Sequence, residues 1–316
     1  MTAAPILIAT RGSALALAQA NTVLAACRRK FPKLAFALKI IKSTGDKLQS
    51  ISMSRIDASL PRGLFTKELE VALLKGRAHM AVHSLKDLPT QLPDGLALGA
   101  VAGKRADVRD VFIYRDAFQP GTKLADFPPG LTVATSSTRR KAQILAQRPD
   151  FNVVDIRGNV HTRLRKLAGQ AGLDATILAA AGLGRLHLRI TAAGRLQGDG
   201  APRGLAATIL DIDQMLPCVG QGALGLEIRE EDQRLAGICR RLNHYETFQC
   251  VIAERALLRA LGGGCQTPIG ACASVEGGEL CLRAVSFLTG KARRAEVRAP
   301  LSEAPALGER VAARLL

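Results

Sequence analysis

The chain has few aromatic residues: its 316 positions include no Trp, 2 Tyr and 9 Phe. Proteins that hold RNA or single-stranded DNA usually stack the bases on aromatic side chains. The shortage therefore argues against that class of partner, although binding to a duplex through its phosphates stays open.

Long apolar runs are also missing. The longest runs, such as the one at 177–183, are far shorter than the roughly 20 residues that cross a bilayer. The N-terminus has a short apolar stretch, but it lacks the preceding basic residues and the following cleavage site of a secretory signal. We therefore expect a cytoplasmic protein with no membrane partner.

The cysteines form neither a C-x-x-C pair nor an even set. Seven are present: Cys27, Cys218, Cys239, Cys250, Cys265, Cys272 and Cys281. This pattern argues against a disulfide framework and against a metal site. Most of them are expected to be small buried hydrophobic residues.

Positive charge is in excess, with 44 Lys and Arg against 27 Asp and Glu, a formal net charge of +17. Such a chain favours an anionic partner: nucleic acid, an acidic membrane surface, or a substrate rich in carboxylate or phosphate. Part of the excess is expected to be solubilising surface charge. Composition does not choose among these partners.

Short apolar runs alternate with helical patterns along most of the chain, which predicts α/β architecture with parallel sheets. The predicted strands lie at 5–10, 34–41, 79–83, 131–135, 152–156 and 174–179, and the predicted helices at 14–29, 63–75, 136–147 and 161–168. A third unit follows Asn243, with a helix at 247–261, strands near 272–275 and 279–285, and a final amphipathic helix at 301–316.

We predict three domains from this pattern: residues 1–103 together with 223–240, residues 104–222, and residues 241–316. Glycine and charged residues accumulate at 103–109 and at 194–204. The first segment is predicted to be a linker and the second a solvent-exposed surface loop.

Polar residues follow the predicted strands, where ligands bind in α/β proteins. They are Arg11, Ser13, Lys86, Asp87, Ser136, Ser137, Arg139, Arg140, Arg157 and Arg185, with Arg163 slightly further along a helix. Guanidinium groups and the free N–H groups of helix N-termini suit carboxylate or phosphate. If the two domains face each other, these residues line one cleft for a polyanion.

Two residues differ from this basic set. Asp87 is a lone carboxylate, which either pairs with Lys86, caps a helix, or stabilises a cationic intermediate. Cys265 follows three glycines, so its thiol could be a nucleophile or a covalent attachment point. Spacing alone favours a buried structural cysteine at that position.

Nine segments resemble, in order and spacing, the motifs of porphobilinogen deaminases. They are ATRGSALALAQA, GLFTKELE, AVHSLKDLP, TSSTRR, IRGNVHTRL, ILAAAGLGRL, PCVGQGALGLE, AERAL and GGGCQTPIG, and they run from Ile6 to about Ala271. The resemblance implies three α/β domains, the first two like the halves of type II periplasmic binding proteins and the third small.

The resemblance also implies a cofactor and roles for the site residues. A dipyrromethane would be attached to Cys265 by a thioether, Asp87 would contact pyrrole nitrogens and assist catalysis, and Gln221 would lie near the interdomain hinge. The implied cofactor-binding residues are Lys86, Ser13, Ser137, Arg139, Arg140, Arg157 and Arg163, and the implied substrate-binding residues are Arg11, Arg157, Arg163 and Arg185.

The implied activity joins four porphobilinogen molecules head to tail into hydroxymethylbilane, with release of ammonia. Each porphobilinogen would lose ammonia to give an electrophilic azafulvene, which the free α-carbon of the growing chain attacks. Every added ring brings two carboxylates, which agrees with the surplus of arginines. The resemblance implies a monomer, and neither nucleic acid nor membrane is expected as a partner.

The chain departs from the family pattern at Leu60-Pro61-Arg62-Gly63, where the family commonly has Gly-Gly-Lys-Gly. Arg62 replaces the lysine, which leaves any lysine-specific contact in doubt. Two other functions stay open at this point: an anion-binding protein without activity on the same scaffold, and a nucleic-acid-binding protein favoured by the charge.

Overall fold

The computed structural model describes residues 4–42, 66–264 and 266–316. The predictions that concern Arg62 and Cys265 lie outside the described residues. In chain order the strands are β1 Ile6–Arg11, β2 Phe36–Ile41, β3 Met80–Ser84, β4 Leu96–Val101, β5 Asp110–Arg115, β6 Thr132–Ala134, β7 Asn152–Val154, β8 Ala175–Ala179, β9 Arg189–Ile190, β10 Leu196–Gln197, β11 Leu205–Leu210, β12 Leu224–Arg229, β13 Ile269–Glu276, β14 Glu279–Ser286 and β15 Arg293–Pro300.

The described helices alternate with these strands. They are α1 Ala14–Lys30, α2 Lys67–Leu74, α3 Thr138–Gln147, α4 Val160–Gly169, α5 Ala180–Arg185, α6 Gln233–Leu242, α7 Tyr245–Ala260 and α8 Ala304–Leu315. A 3₁₀ turn, Leu85–Asp87, follows β3 directly. Across the described ranges, no helix has the length and apolar character needed to span a bilayer.

Two five-stranded sheets share one topology. The first has the order β2-β1-β3-β12-β4, and the second, taken from its β7 edge, has the equivalent order β7-β6-β8-β5-β11. In each sheet one strand is antiparallel to its neighbours: β12 in the first and β5 in the second. These are the strands that enter each sheet from the other half, so the prediction of purely parallel sheets is wrong for them.

Helix α1 shows how the sequence builds the first lobe, which we define as the first sheet with α1, α2 and α6. Ser13 caps α1 by accepting a hydrogen bond from the backbone N of Ala16 at 3.3 Å. Cations fill its last turn, where the helix dipole is negative. Its apolar face, including Val23 and Leu24, packs on the sheet, and each such side chain contributes about 1.5–3 kcal/mol through burial.

The second lobe, defined as the second sheet with α3, α4 and α5, contains the segment predicted to be a solvent loop at 194–204. Part of that segment forms a two-stranded antiparallel ribbon, in which β10 pairs with β9. Leu196 is buried, and a Cβ at Gly198 would lie 2.2 Å from the carbonyl oxygen of His187. The segment therefore folds back on the lobe, and the prediction of a simple solvent loop is wrong at these residues.

The third unit is an antiparallel sheet, β13-β14-β15, packed against α7 and α8. Its first two strands and its final helix were predicted, and they are confirmed with longer bounds for the strands. Gly308 lets the helices approach closely, because a Cβ there would lie 2.3 Å from the carbonyl oxygen of Ala253. The predicted α/β class with a small third unit is confirmed, whereas the predicted domain limits stay a prediction.

Candidate active site

The first lobe presents polar groups where β1 and β3 end. Between these strand ends and the start of α1 lies a cavity of about 60 Å³. Its lining includes Arg11, Ser13, Gln19, His83, Ser84 and Asp87. Asp87 is exposed at the end of the 3₁₀ turn, and Gln19 Nε2 donates to Ser84 Oγ at 2.6 Å.

The second lobe contributes two arginines from the first turn of α3. Arg139 Nη1 and Arg140 Nη2 each lie 2.7 Å from an oxygen of Asp110, and all three side chains are buried. Arg139 also donates to the carbonyl of Leu216, and Arg140 to that of Ile177. The arginines were predicted to hold cofactor carboxylates, and the structure places a protein carboxylate between them.

Charged groups of the two lobes act on one another electrostatically. Burial, together with the neighbouring Arg140 and Arg157, lowers the pKa of Arg163 to about 10, while Asp87 opposes them. Burial also lowers the pKa of Lys86, again opposed by Asp87. Groups from both lobes thus act on one another across the space between the lobes, which we call the cleft. That the predicted residues bind a ligand there stays a prediction.

Several predicted site residues already have structural partners. Ser137 caps α3 by accepting from the backbone N of Arg140 at 3.4 Å, as Ser13 caps α1. Arg185 donates to the carbonyl oxygen of Gly222 at 2.7 Å, and burial lowers its pKa to about 10. Arg157 is exposed. These contacts orient the side chains before any ligand binds.

Gln221 lies where the two segments that connect the lobes, 102–109 and 211–223, pass each other. Its side-chain Nε2 donates to Asp110 Oδ1 at 3.0 Å and to the carbonyl of Val108 at 2.8 Å. Lys86 Nζ approaches its Oε1 at 3.5 Å, and Arg105 Nε donates to its carbonyl at 2.8 Å. Gln221 therefore contacts both the crossing segments and the Leu85–Asp87 turn.

The third unit contacts the same region, where the segments that connect the two lobes cross. Glu254 of α7 forms a buried ion pair with Arg105, with 2.6 Å between Nη1 and Oε1, and accepts from the backbone N of Gly220. Thr138, at the start of α3, donates to the carbonyl oxygen of Gln266 at 2.5 Å. The described residue that follows position 265 thus contacts the second lobe beside Ser137.

The cleft suits a group that carries several carboxylates. Arg139 Nε and Arg140 Nε are buried and have no hydrogen-bond partner among the described residues. Arg163 has two cationic neighbours and one carboxylate, Asp87. Because the protein leaves this positive charge only partly balanced, a tetracarboxylate such as a dipyrromethane fits the residues present.

Sequence reasoning missed three residues of the site. Asp110 begins an apolar strand, Gln19 lies within a helix, and His83 lies within a strand. Only Asp110 could have been recognised from the sequence, because a carboxylate at the start of a buried strand requires a partner. The identity of that partner depends on tertiary structure.

A cation-lined cleft between two α/β lobes defines a protein that binds an anionic ligand between its halves. A family model described as "Porphobilinogen deaminase, dipyromethane cofactor binding domain" matches residues 6–237, and one for the C-terminal domain of that family matches residues 248–316. A porphobilinogen deaminase of Desulforudis audaxviator is 44% identical over 98% of this chain and 94% of its own length. One of Thermus thermophilus is 45% identical over 96% of this chain and 92% of its own.

Among solved structures, the periplasmic aliphatic sulphonate binding protein SsuA from Escherichia coli is 13% identical with a TM-score of 0.39, covering 81% of this chain and 70% of that one. The chain belongs to the porphobilinogen deaminase family. It is a transferase of tetrapyrrole biosynthesis that polymerises porphobilinogen into hydroxymethylbilane and uses a dipyrromethane cofactor.

Proposed function

We propose that Asp87 is the catalytic carboxylate and that Cys265 carries the cofactor, in a cytoplasmic monomer that needs neither nucleic acid nor a membrane. The position of Asp87 is the observation that supports its proposed catalytic role. It is an exposed carboxylate on the cavity and acts electrostatically on Lys86 and on Arg163 of the opposite lobe.

Asp87 stabilises the cation that porphobilinogen becomes when ammonia leaves, and it assists the transfer of the proton lost on coupling. Arg11, Arg157, Arg163 and Arg185 hold the carboxylates of the incoming ring. Lys86, Ser13, Ser137, Arg139, Arg140, Arg157 and Arg163 hold those of the cofactor. When bound, the dipyrromethane supplies the free α-carbon on which the chain grows.

Gln221 is proposed as a hinge residue, since it lies on one connection between the lobes and contacts the other at Arg105 and Val108. The same connections support the proposed domains 1–103 plus 223–240, 104–222 and 241–316. The strands of the first sheet fall within 6–101 and 224–229, and those of the second within 110–210.

The deciding experiment is an intact mass measurement of the purified protein beside its Cys265→Ser variant, followed by an Ehrlich colour test. The wild-type mass should exceed that of the chain by two ammonia-depleted porphobilinogen units, and the Cys265→Ser mass should not. Cys218→Ser is the matched control, because Cys218 is the one described cysteine that is not buried.

A bare-chain mass for the wild type, or a cofactor lost in Cys218→Ser and kept in Cys265→Ser, would refute the attachment site. The role of Asp87 is tested separately by Asp87→Asn. This variant should keep the cofactor mass and lose hydroxymethylbilane formation by at least about 100-fold, the usual contribution of a general acid or base.

A further inference from the structure

Three ionisable side chains lie together between the first sheet and α2. Glu227 is in register with Ala81 across β12 and β3, so it shares a sheet face with Ala81 and His83. His83 Nε2 and Glu227 Oε2 are 2.9 Å apart, and the two side chains are 4% and 0% exposed. Glu70 of α2 is buried on this face as well.

Stability does not explain this cluster. Glu227 Oε1 and Glu70 Oε1 have no hydrogen-bond partner within the described ranges, and the surrounding core includes Leu69 and Leu73. A buried polar atom left unpaired costs about 1–3 kcal/mol, and apolar residues often stabilise a core as well as a buried ion pair does. A fold alone would be served better by apolar side chains here.

His83 connects this cluster with the cleft. This residue lines the same cavity as Asp87, and only Ser84, Leu85 and Lys86 separate the two along the chain. Gly225 of β12 lies opposite His83, and a Cβ at Gly225 would lie 2.7 Å from Leu85 Cδ1. Strand β12 therefore contacts both the histidine strand and the turn that carries Asp87.

We propose that His83, oriented by Glu227, is a positioning residue for the coupling reaction, one that fixes the Ser84–Asp87 segment and sets the charge at the wall of the cavity. The hydrogen bond to Glu227 fixes the imidazole ring and joins the end of β3 to β12. Loss or displacement of the His83 imidazole therefore alters the field at Asp87. This inference rests on the proposed catalytic role of Asp87.

The charged groups on the elements packed around His83 can all be named. They are Lys67, Glu68 and Glu70 on α2, Glu227 and Arg229 on β12, Arg11 on β1, and Lys86 and Asp87 in the 3₁₀ turn, whereas β4 carries none. Burial raises the pKa of Glu70, and Glu227 and Glu68 raise it further, while Thr66 and His83 oppose them. Glu70→Gln removes this carboxyl group and keeps the shape of the side chain.

The test compares His83→Gln and Glu227→Gln with the control Glu70→Gln, measuring kcat, KM and the pH profile of kcat. His83→Gln should lower kcat about 10- to 100-fold, the effect of a small displacement of a catalytic group, and leave KM within about twofold. It should also change the pH profile of kcat, because it removes an ionisable ring from the wall of the cavity. Glu227→Gln should change the profile as well, and Glu70→Gln should leave it unaltered.

An unchanged pH profile in both His83→Gln and Glu227→Gln would overturn the proposal, even if kcat fell together with stability. If these variants do not fold, the ring ¹⁵N signals of His83 in the wild-type holoenzyme replace them. They should change when the first porphobilinogen is added, and unchanged signals would overturn the proposal. Asp87→Asn separates the two proposals, because full activity there refutes the role of Asp87 whatever the His83 result.

Discussion

Asp110 is the best position at which to test the electrostatics of the cleft. Its oxygens lie 2.7 Å from both Arg139 and Arg140 and 3.0 Å from Gln221 Nε2, and its side chain is fully buried. Asp110→Asn keeps the shape and removes the charge, which leaves two buried guanidiniums without their anion. Breaking a buried pair in this way costs about 3–5 kcal/mol, and we expect a loss of that size in the free energy of unfolding.

The loss should depend on pH in a defined direction. Burial by itself raises the pKa of Asp110, but the two guanidiniums outweigh it and hold the pKa well below its ordinary value of 3.8. A carboxylate with a depressed pKa stabilises the fold above its unfolded pKa, and that contribution is lost as the pH falls through the folded value. The difference between wild type and Asp110→Asn should be constant from about pH 5 to 8 and shrink below about pH 4.

Urea unfolding of the holoenzyme at several pH values measures both effects. Asp107→Asn is the control, since Asp107 pairs with Arg109 at 2.7 Å with both side chains 38% exposed. Such a surface pair contributes about 0–1 kcal/mol. If Asp110→Asn lost no more stability than Asp107→Asn, or lost the same amount at pH 3 as at pH 7, the reasoning about the buried triad would be refuted.

Three further predictions follow from packing, charge and burial. Gly308→Ala should destabilise the protein by about 1–3 kcal/mol because the new Cβ meets the α7 backbone. Gly237→Ala should stabilise the protein by about 0.5–1 kcal/mol because a Cβ has room at this position of α6. Equal urea midpoints for the two variants would contradict this. Arg163→Met should weaken porphobilinogen binding about 10- to 100-fold, the loss of one charge-assisted hydrogen bond, while Arg165→Met, exposed on the same helix, should change KM less than twofold. Burial raises the pKa of Cys27 to about 11, so iodoacetamide at pH 8 should label this thiol only after the protein unfolds. Labelling of Cys27 in the native protein, detected by peptide mass analysis, would count against its burial.

Local sequence patterns predicted most of the strands and helices that position the site. The strand ends carrying Arg11 and Asp87 were predicted because short apolar runs there are followed directly by polar residues. Strand β15 was not predicted, since its sequence RRAEVRAP is mostly polar and exposed on one side. Its pairing with β14 depends on neighbours rather than on its own residues.

Long-range contacts account for what the sequence could not predict about the site. Arg139 and Arg140 were assigned to the cleft, yet their partner Asp110 lies 29 positions from Arg139. The pair of His83 and Glu227 spans 144 positions. Neither hydrophobic periodicity nor motif spacing predicts either pairing, because only the tertiary fold brings the partners together. Glu227 reaches His83 through the strand exchange between the lobes, in which β12 returns to the first sheet.

That strand exchange has a consequence for how the protein is made. Strands β3 and β4 both pair with β12, which follows β4 by more than a hundred residues. At the usual elongation rate of about 5–20 residues per second, the first sheet lacks the strand β12 between β3 and β4 for on the order of ten seconds. During that time the unpaired edges of β3 and β4 are exposed to other chains, so a ribosome-associated chaperone that shields residues 80–101 until β12 is synthesised would raise the yield of folded enzyme.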